Sequence, residues 1–169
     1  MKSVLISIKP KYCELIASGK KTVEIRKTRP KLETPFKCYI YCTSKYDKSG
    51  DGYFQGKYCG KVIGEFVCYN ITISLPGYNS DGLPSYWDIL DGTCLTSNEL
   101  ICYGKFGVVY AWHISNLVIY DKPKKISDFQ KPCNHYNDCS TCKRFDRKDY
   151  ACICGITRPP ISWCYVEGL

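Results

Sequence analysis

The residue types best suited to chemistry crowd into Gly19-Lys20-Lys21-Thr22-Val23-Glu24-Ile25-Arg26-Lys27-Thr28-Arg29, where five cations surround a single carboxylate, Glu24. If the stretch is extended, Val23 and Ile25 share one face and Thr22, Glu24 and Arg26 the other. Lys9, Lys20, Lys21, Arg26, Lys27 and Arg29 are then candidate phosphate contacts, with Thr22 beside them and Glu24 an acceptor for a base amino group. The same pattern also describes a solvated strand whose Glu24 and Arg26 pair locally. Charge distribution favours a footprint: residues 1–37 hold ten Lys and Arg against three Glu, whereas the other 132 residues carry 14 basic and 13 acidic side chains.

Three further sites carry reactive types. Glu65 interrupts the apolar run Val62, Ile63, Phe66, Val67, so it is paired with a cation or turned into a site. His113 sits among large apolar neighbours and reads as a core histidine; no residue at triad spacing accompanies it. Cys133, His135, Cys139, Cys142, Cys152 and Cys154 fall within 22 polar residues. Cys139 and Cys142 have zinc-knuckle spacing, and Cys133 with Cys152 or Cys154 would complete a closed, structural zinc site. Reduced thiols in a linker are the alternative.

The elements that must position these residues follow from periodicity and punctuation. Val4 to Ile8 is a strand, Pro10 opens a short helix through Tyr12, Cys13, Leu15 and Ile16, and Gly19 stops it in a left-handed turn. Phe36 to Thr43 alternates Cys38, Ile40 and Cys42 with Tyr39 and Tyr41, an aromatic face able to stack on unpaired bases. Residues 44–60 form a long exposed loop. Lys61 to Ile73 is a long strand covered on both faces, with Gly64 at a kink. Ser85 to Leu90 is a helical turn, and Thr96 with Glu99 makes a capping box for a helix that Gly104 closes. Phe106 to Ile114 and Asn116 to Tyr120 are two more strands. Trp163 to Val166 docks as the last strand, so residues 122–156 are a cysteine-rich insertion and 157–169 a docked end.

At 169 residues the chain builds one core and one domain, 1–169. The N-terminus lacks a signal-peptide pattern and no apolar run spans a membrane, which predicts a cytoplasmic protein with reduced or metal-bound thiols.

With these motifs in hand, Gly19-Lys20-Lys21-Thr22-Val23-Glu24-Ile25-Arg26 resembles the Gly-x-Lys-Thr-x-Glu-x-Arg hallmark of ASCH domains in the PUA-like superfamily. Residues 60–66, 110–114 and 158–166 look like a phage- and prophage-borne Firmicutes branch. The resemblance implies an α+β fold: a small β-barrel of mixed, mostly antiparallel strands with flanking short helices. It also implies a cleft beside the hallmark that binds RNA or a modified base. Bacterial acetylcytidine amidohydrolases share the domain; Lys21 stands at their lysine and Glu24 at their threonine, and Glu65 is an analogue of their glutamate. The expected function is nucleic-acid binding. The alternatives are a hydrolase of a modified nucleoside or RNA, with Lys21, Glu24 and Glu65 as its acid and base groups, and a phage protein that blocks a host protein.

Overall fold

Residues 2–43, 58–78, 80–132, 145–146, 151–152 and 154–168 are described by the computed structural model of the chain. The elements run β1 (Lys2–Ile8), α1 (Pro10–Ala17), β2 (Val23–Arg26), β3 (Phe36–Cys42), β4 (Lys61–Ser74), β5 (Gly77–Tyr78), β6 (Pro84–Ser85), α2 (Ser97–Gly104), β7 (Val109–Lys124), β8 (Phe145–Asp146), β9 (Ala151–Cys152) and β10 (Trp163–Glu167). Short 3-10 turns cover Trp87–Ile89 and Ile126–Asp128.

Six strands form one mixed sheet in the order β10-β1-β3-β4-β7-β2; β1 and β3 are parallel and the other neighbours antiparallel. The parallel pair requires a crossover, and α1 and β2 lie within it. Alternation then sorts the side chains. Val4, Ile6, Ile8, Cys38, Ile40, Cys42, Ile63, Phe66 and Trp112 pack inside with Cys13 and Ile16 of α1. Leu5, Tyr39, Tyr41 and Val62 pack beneath Phe129, Ile156 and Val166. Val23, Ile25, Val109 and Ala111 are covered by Leu100 of α2 with Tyr86 and Ile89.

The expected closed barrel is corrected to an open, curled sheet, since β2 and β10 are edges with no ladder between them. β2 has only four residues, and Pro30 soon after it has no N–H to donate to a ladder. Side chains bridge the seam instead. Arg26 reaches the Ser7 carbonyl of β1 at 2.6 Å, Trp163 donates its indole N–H to Thr28 at 3.0 Å, and the Trp163 ring lies tilted at 6.1 Å from that of Trp112.

Other expectations shift in detail. The two strands read over 106–120 are one 16-residue strand, β7, in which Asn116 takes a left-handed turn (φ 48°). Phe106, also left-handed, precedes it. Bulges in the β4–β7 pairing flank Gly64, whose missing Cβ leaves room for the Val118 carbonyl. Thr96 and Glu99 do form the capping box, but Lys105, not Gly104, takes the left-handed position that ends α2. Gly104 is needed because the Tyr86 hydroxyl occupies the place of a Cβ. Tyr39 and Tyr41 are core residues, with Tyr39 edge-on to Phe129 at 4.9 Å, so neither offers a stacking face.

Candidate functional site

The seam between β1 and β2 opens into a cleft of about 370 Å³ lined by β1 and α1 on one side, β2 beneath, and α2 on the other. Local chain chemistry places its floor. Gly19 (φ 74°) ends α1 in the left-handed region with nothing crowding the position of a Cβ, so the requirement there is conformational. The chain turns at once into β2, whose first amides are caught by a second turn: the Gly92 carbonyl accepts from Thr22 at 2.9 Å and Val23 at 3.0 Å. Val23 and Ile25 anchor β2 in the outer cluster, which leaves Glu24 and Arg26 facing the seam.

Lys21, Glu24 and Arg26 are buried, at 3, 7 and 8 % exposure. Glu24 lies between the two cations, 3.4 Å from Lys21 Nζ and 3.0 Å from Arg26 Nη2. Lys21 also donates to the Thr93 carbonyl at 2.7 Å and stands 5.3 Å over the Tyr12 ring. Arg26 donates to the Ser7 carbonyl and, at 3.4 Å, to Ser162. Two buried cations thus share one carboxylate, and the Thr93 and Ser7 carbonyls and the Tyr12 ring offset part of the surplus positive charge. Arg26 Nε–H has no hydrogen-bond partner among the described residues, and the ammonium of Lys21 has three N–H groups to share between Thr93 and Glu24.

The structure brings Lys9, Lys21, Glu24 and Arg26 together around this cleft. Lys20, Thr22, Lys27 and Arg29 are exposed and are not among its lining residues; Lys27 lies 5.1 Å over Tyr103, which is. Glu65 is elsewhere. It lies on β4 opposite Tyr39, ion-paired with Lys37 at 2.8 Å and accepting from the Tyr120 hydroxyl at 2.6 Å. Burial pushes its pKa up, but the hydrogen bonds from Lys37 and Tyr120 and the charges of Lys37 and Lys124 outweigh that and hold it below the ordinary value. His113 is half-buried, shares a 2.8 Å hydrogen bond with Thr72, and has its pKa lowered by burial. Cys133, Cys139 and Cys142 lie outside the described residues, as does the side chain of Cys152; Cys154 is buried. No cluster of three potential metal ligands occurs among the described residues.

Sequence reasoning missed Ser7, Tyr12, Thr93, Leu95, Glu99, Cys102 and Tyr103, which line the cleft or hold Lys21. Asp91-Gly92-Thr93 carried a turn signal. Nothing local showed that this turn meets Lys21, a contact 72 residues apart.

Residues 6–64 match the ASCH domain family. A search of curated proteins finds no match. Among solved structures, the crystal structure of ASCH from Zymomonas mobilis is 19 % identical, covers 98 % of this chain and 87 % of its own, and superposes with a TM-score of 0.54. Two point mutants of that protein superpose similarly, one at 20 % identity, 99 % and 91 % coverage and TM-score 0.53, the other at 18 %, 98 %, 88 % and 0.54. The ASCH match ends inside β4, and the structural likeness carries the same fold over the rest of the chain. Among the described residues, no helix is long and apolar enough to cross a membrane.

Proposed function

We propose that this protein binds nucleic acid, RNA or a modified base, by taking one unpaired base into the cleft between α1 and α2. The carrying observation is the pair of buried cations sharing Glu24 at the cleft floor. A base edge with adjacent carbonyl and amino groups suits it: the carbonyl accepts from Lys21 or Arg26 and the amino group donates to Glu24. A volume of about 370 Å³ falls in the range of small-ligand pockets, and Tyr12 and Tyr103 supply aromatic lining. Exposed Lys9, Lys20, Lys27 and Arg29 meet the flanking phosphates.

A second reading has specific support, because Lys21 and Glu24 lie 3.4 Å apart in the cleft and could serve as acid and base in hydrolysis of a modified nucleoside or of RNA. Glu65, held by Lys37 and Tyr120 and not among the lining residues, takes no part in it. The cytoplasmic setting and a phage origin, carried by the likeness of residues 60–66, 110–114 and 158–166, complete the proposal. So does structural zinc held by Cys133, Cys139, Cys142 and Cys152 or Cys154, which metal analysis of the purified chain tests.

Fluorescence titration with single-stranded RNA at two salt concentrations, paired with chromatographic assay of acetylated nucleosides, separates the readings. Binding that weakens steeply with salt and is lost in Lys21→Ala and Tyr103→Ala supports the first. Turnover lost in Lys21→Ala supports the second. No uptake of RNA at low salt and no turnover, with a host protein co-purifying instead, removes both.

A further inference from the structure

Three thiols behind the cleft play no part in the reading above. Cys13 comes from α1, Cys42 ends β3, and Cys59 stands two residues before β4. The backbone gathers them. The Ile8 carbonyl accepts from the Cys13 thiol at 3.6 Å and from the Thr43 amide at 2.9 Å, while the Gly60 amide donates to the Cys42 carbonyl at 2.8 Å. Gly60 (φ 76°) supplies the left-handed turn that brings Cys59 back against β3. Cys13 and Cys42 pack in the inner core with Cys59 half-buried against it, and the Cys42 thiol, which donates to the Thr43 carbonyl at 4.0 Å, neighbours those of Cys13 and Cys59.

Their environments differ in a way that assigns roles. Cys13 and Cys42 are completely buried, whereas Cys59 is half-buried and so is the thiol a small oxidant reaches. Burial, reinforced by the Cys42 contact, pushes the Cys13 thiol well up and makes it a poor nucleophile. Cys42 moves the other way: the hydrogen bond with Cys13, with help from Cys59, outweighs burial and holds its pKa below the ordinary value. No disulfide links the three.

We propose that Cys59 and Cys42 are an oxidisable dithiol, in which a hydroperoxide oxidises Cys59 and Cys42 resolves it to an intramolecular disulfide. In the first step the Cys59 sulfur attacks a peroxide oxygen; an S–O bond forms, the O–O bond breaks, and the leaving oxygen takes the thiol proton. Cys59 becomes a sulfenic acid and the peroxide an alcohol, or water if the oxidant is hydrogen peroxide. In the second step the Cys42 sulfur displaces the hydroxyl; an S–S bond forms, the S–O bond breaks, and water leaves with the Cys42 proton. Two thiols and one peroxide thus yield one disulfide, one alcohol and one water. The bond ties the end of β3 to the approach to β4, beside Ile8 at the cleft wall.

Hydrogen peroxide treatment of the full chain, alkylation of remaining thiols, trypsin digestion and mass spectrometry test this. The expected product joins peptides 38–45 and 58–61 at a mass about 2 Da below their sum. Cys42→Ala should abolish it and leave a Cys59 sulfenic acid that dimedone traps, a result that also separates Cys42 from Cys38 in the same peptide. Cys59→Ser should abolish the product and leave Cys42 reduced, which keeps the test decisive if Cys42→Ala does not fold. A Cys59 that stays alkylatable while exposed Cys94 and Cys102 oxidise overturns the proposal, as does a Cys59 joined to peptide 12–20 or still joined to 38–45 in Cys42→Ala.

Discussion

Two carboxylates, Glu24 and Glu65, lie on strands of the same sheet and are each bound by cations, yet their surroundings differ in kind. Glu65 sits at the margin of the outer face, its side chain 23 % exposed, with short bonds to Lys37 and Tyr120 that use both of its oxygens. It is a closed set. Glu24 is more deeply buried, its ion pairs are longer, its two cations also bond to distant carbonyls, and the group borders an open cleft. The difference teaches that a carboxylate on a buried strand needs partners whatever its sequence neighbours, and that the geometry of those partners and the space beside them shows whether a ligand has a place.

The largest effect that can break this comparison is on folding stability. Glu24→Ala leaves Lys21 and Arg26 buried without their shared anion and should cost about 3–5 kcal/mol, toward the lower end because Thr93 and Ser7 carbonyls remain. Glu65→Gln, at a pair with Lys37 side-chain exposure of 40 %, is screened by solvent and should cost about 1 kcal/mol or less. Urea denaturation of both variants measures the contrast. Equal costs would mean that the two clusters are the same kind of structural pair.

The pH dependence sharpens it next. The pKa of Glu65 is held below its ordinary 4.5, so its contribution is complete above that value and is lost as pH falls through the folded value. Lys37 is raised above 10.5, chiefly by its hydrogen bond to Glu65; its contribution is present below that value and is lost only as pH rises through the folded one. Stability of the wild type relative to Glu65→Gln should therefore be flat through neutral pH and vanish first on the acid side. A difference that persists unchanged at the acid end would show that packing, not the ion pair, is what Glu65→Gln removes.

Much of this fold was legible locally. Pro10 and Gly19 bracket α1, Thr96 and Glu99 open α2, and the alternation of Phe36 to Cys42 assigns its two faces, because each feature is a contact within a few residues. Closure was not legible: whether β2 meets β10 depends on where a four-residue strand stops, and Arg26 spans the seam to Ser162, 136 residues away. The same limit applies at the site. The hallmark segment exposes its residue types to inspection, but the split between buried Lys21 and Arg26 and exposed Lys20, Lys27 and Arg29 goes with distant partners, the Thr93 carbonyl for Lys21 and the Ser7 carbonyl and Ser162 for Arg26. Charge alone does not carry that information.

A smaller effect comes from α2, which walls the Glu24 cleft through Glu99, Cys102 and Tyr103, whereas Glu65 is held by Lys37 and Tyr120. Thr96 accepts from the Glu99 amide at 3.2 Å while Glu99 accepts from the Thr96 amide at 2.8 Å. Thr96→Ala should cost about 1 kcal/mol. Hydrogen exchange should rise over Ser97–Gly104 and stay unchanged along β4 at Glu65. Maleimide labelling of Cys102, which is exposed in the cleft, should slow when a bound base shields it, and this protection should weaken in Thr96→Ala.

The smallest effect on folding, and the sharpest on ligand contact, belongs to the exposed cations around the Glu24 cleft. Lys9, Lys20, Lys27 and Arg29 are solvated, so replacing any one by Ala should leave the urea midpoint within about 0.5 kcal/mol of wild type. If each touches a phosphate of single-stranded RNA, each loss should lower the slope of log affinity against log salt by about 0.7. Lys37 and Lys124 beside Glu65 provide the control, because the outer face is not expected to meet the ligand. Their replacement should leave that slope unchanged. Should Lys37→Ala lower the slope as much as Lys27→Ala does, the phosphates would run across the outer face, and the cleft would lose its claim to be where the nucleic acid is held.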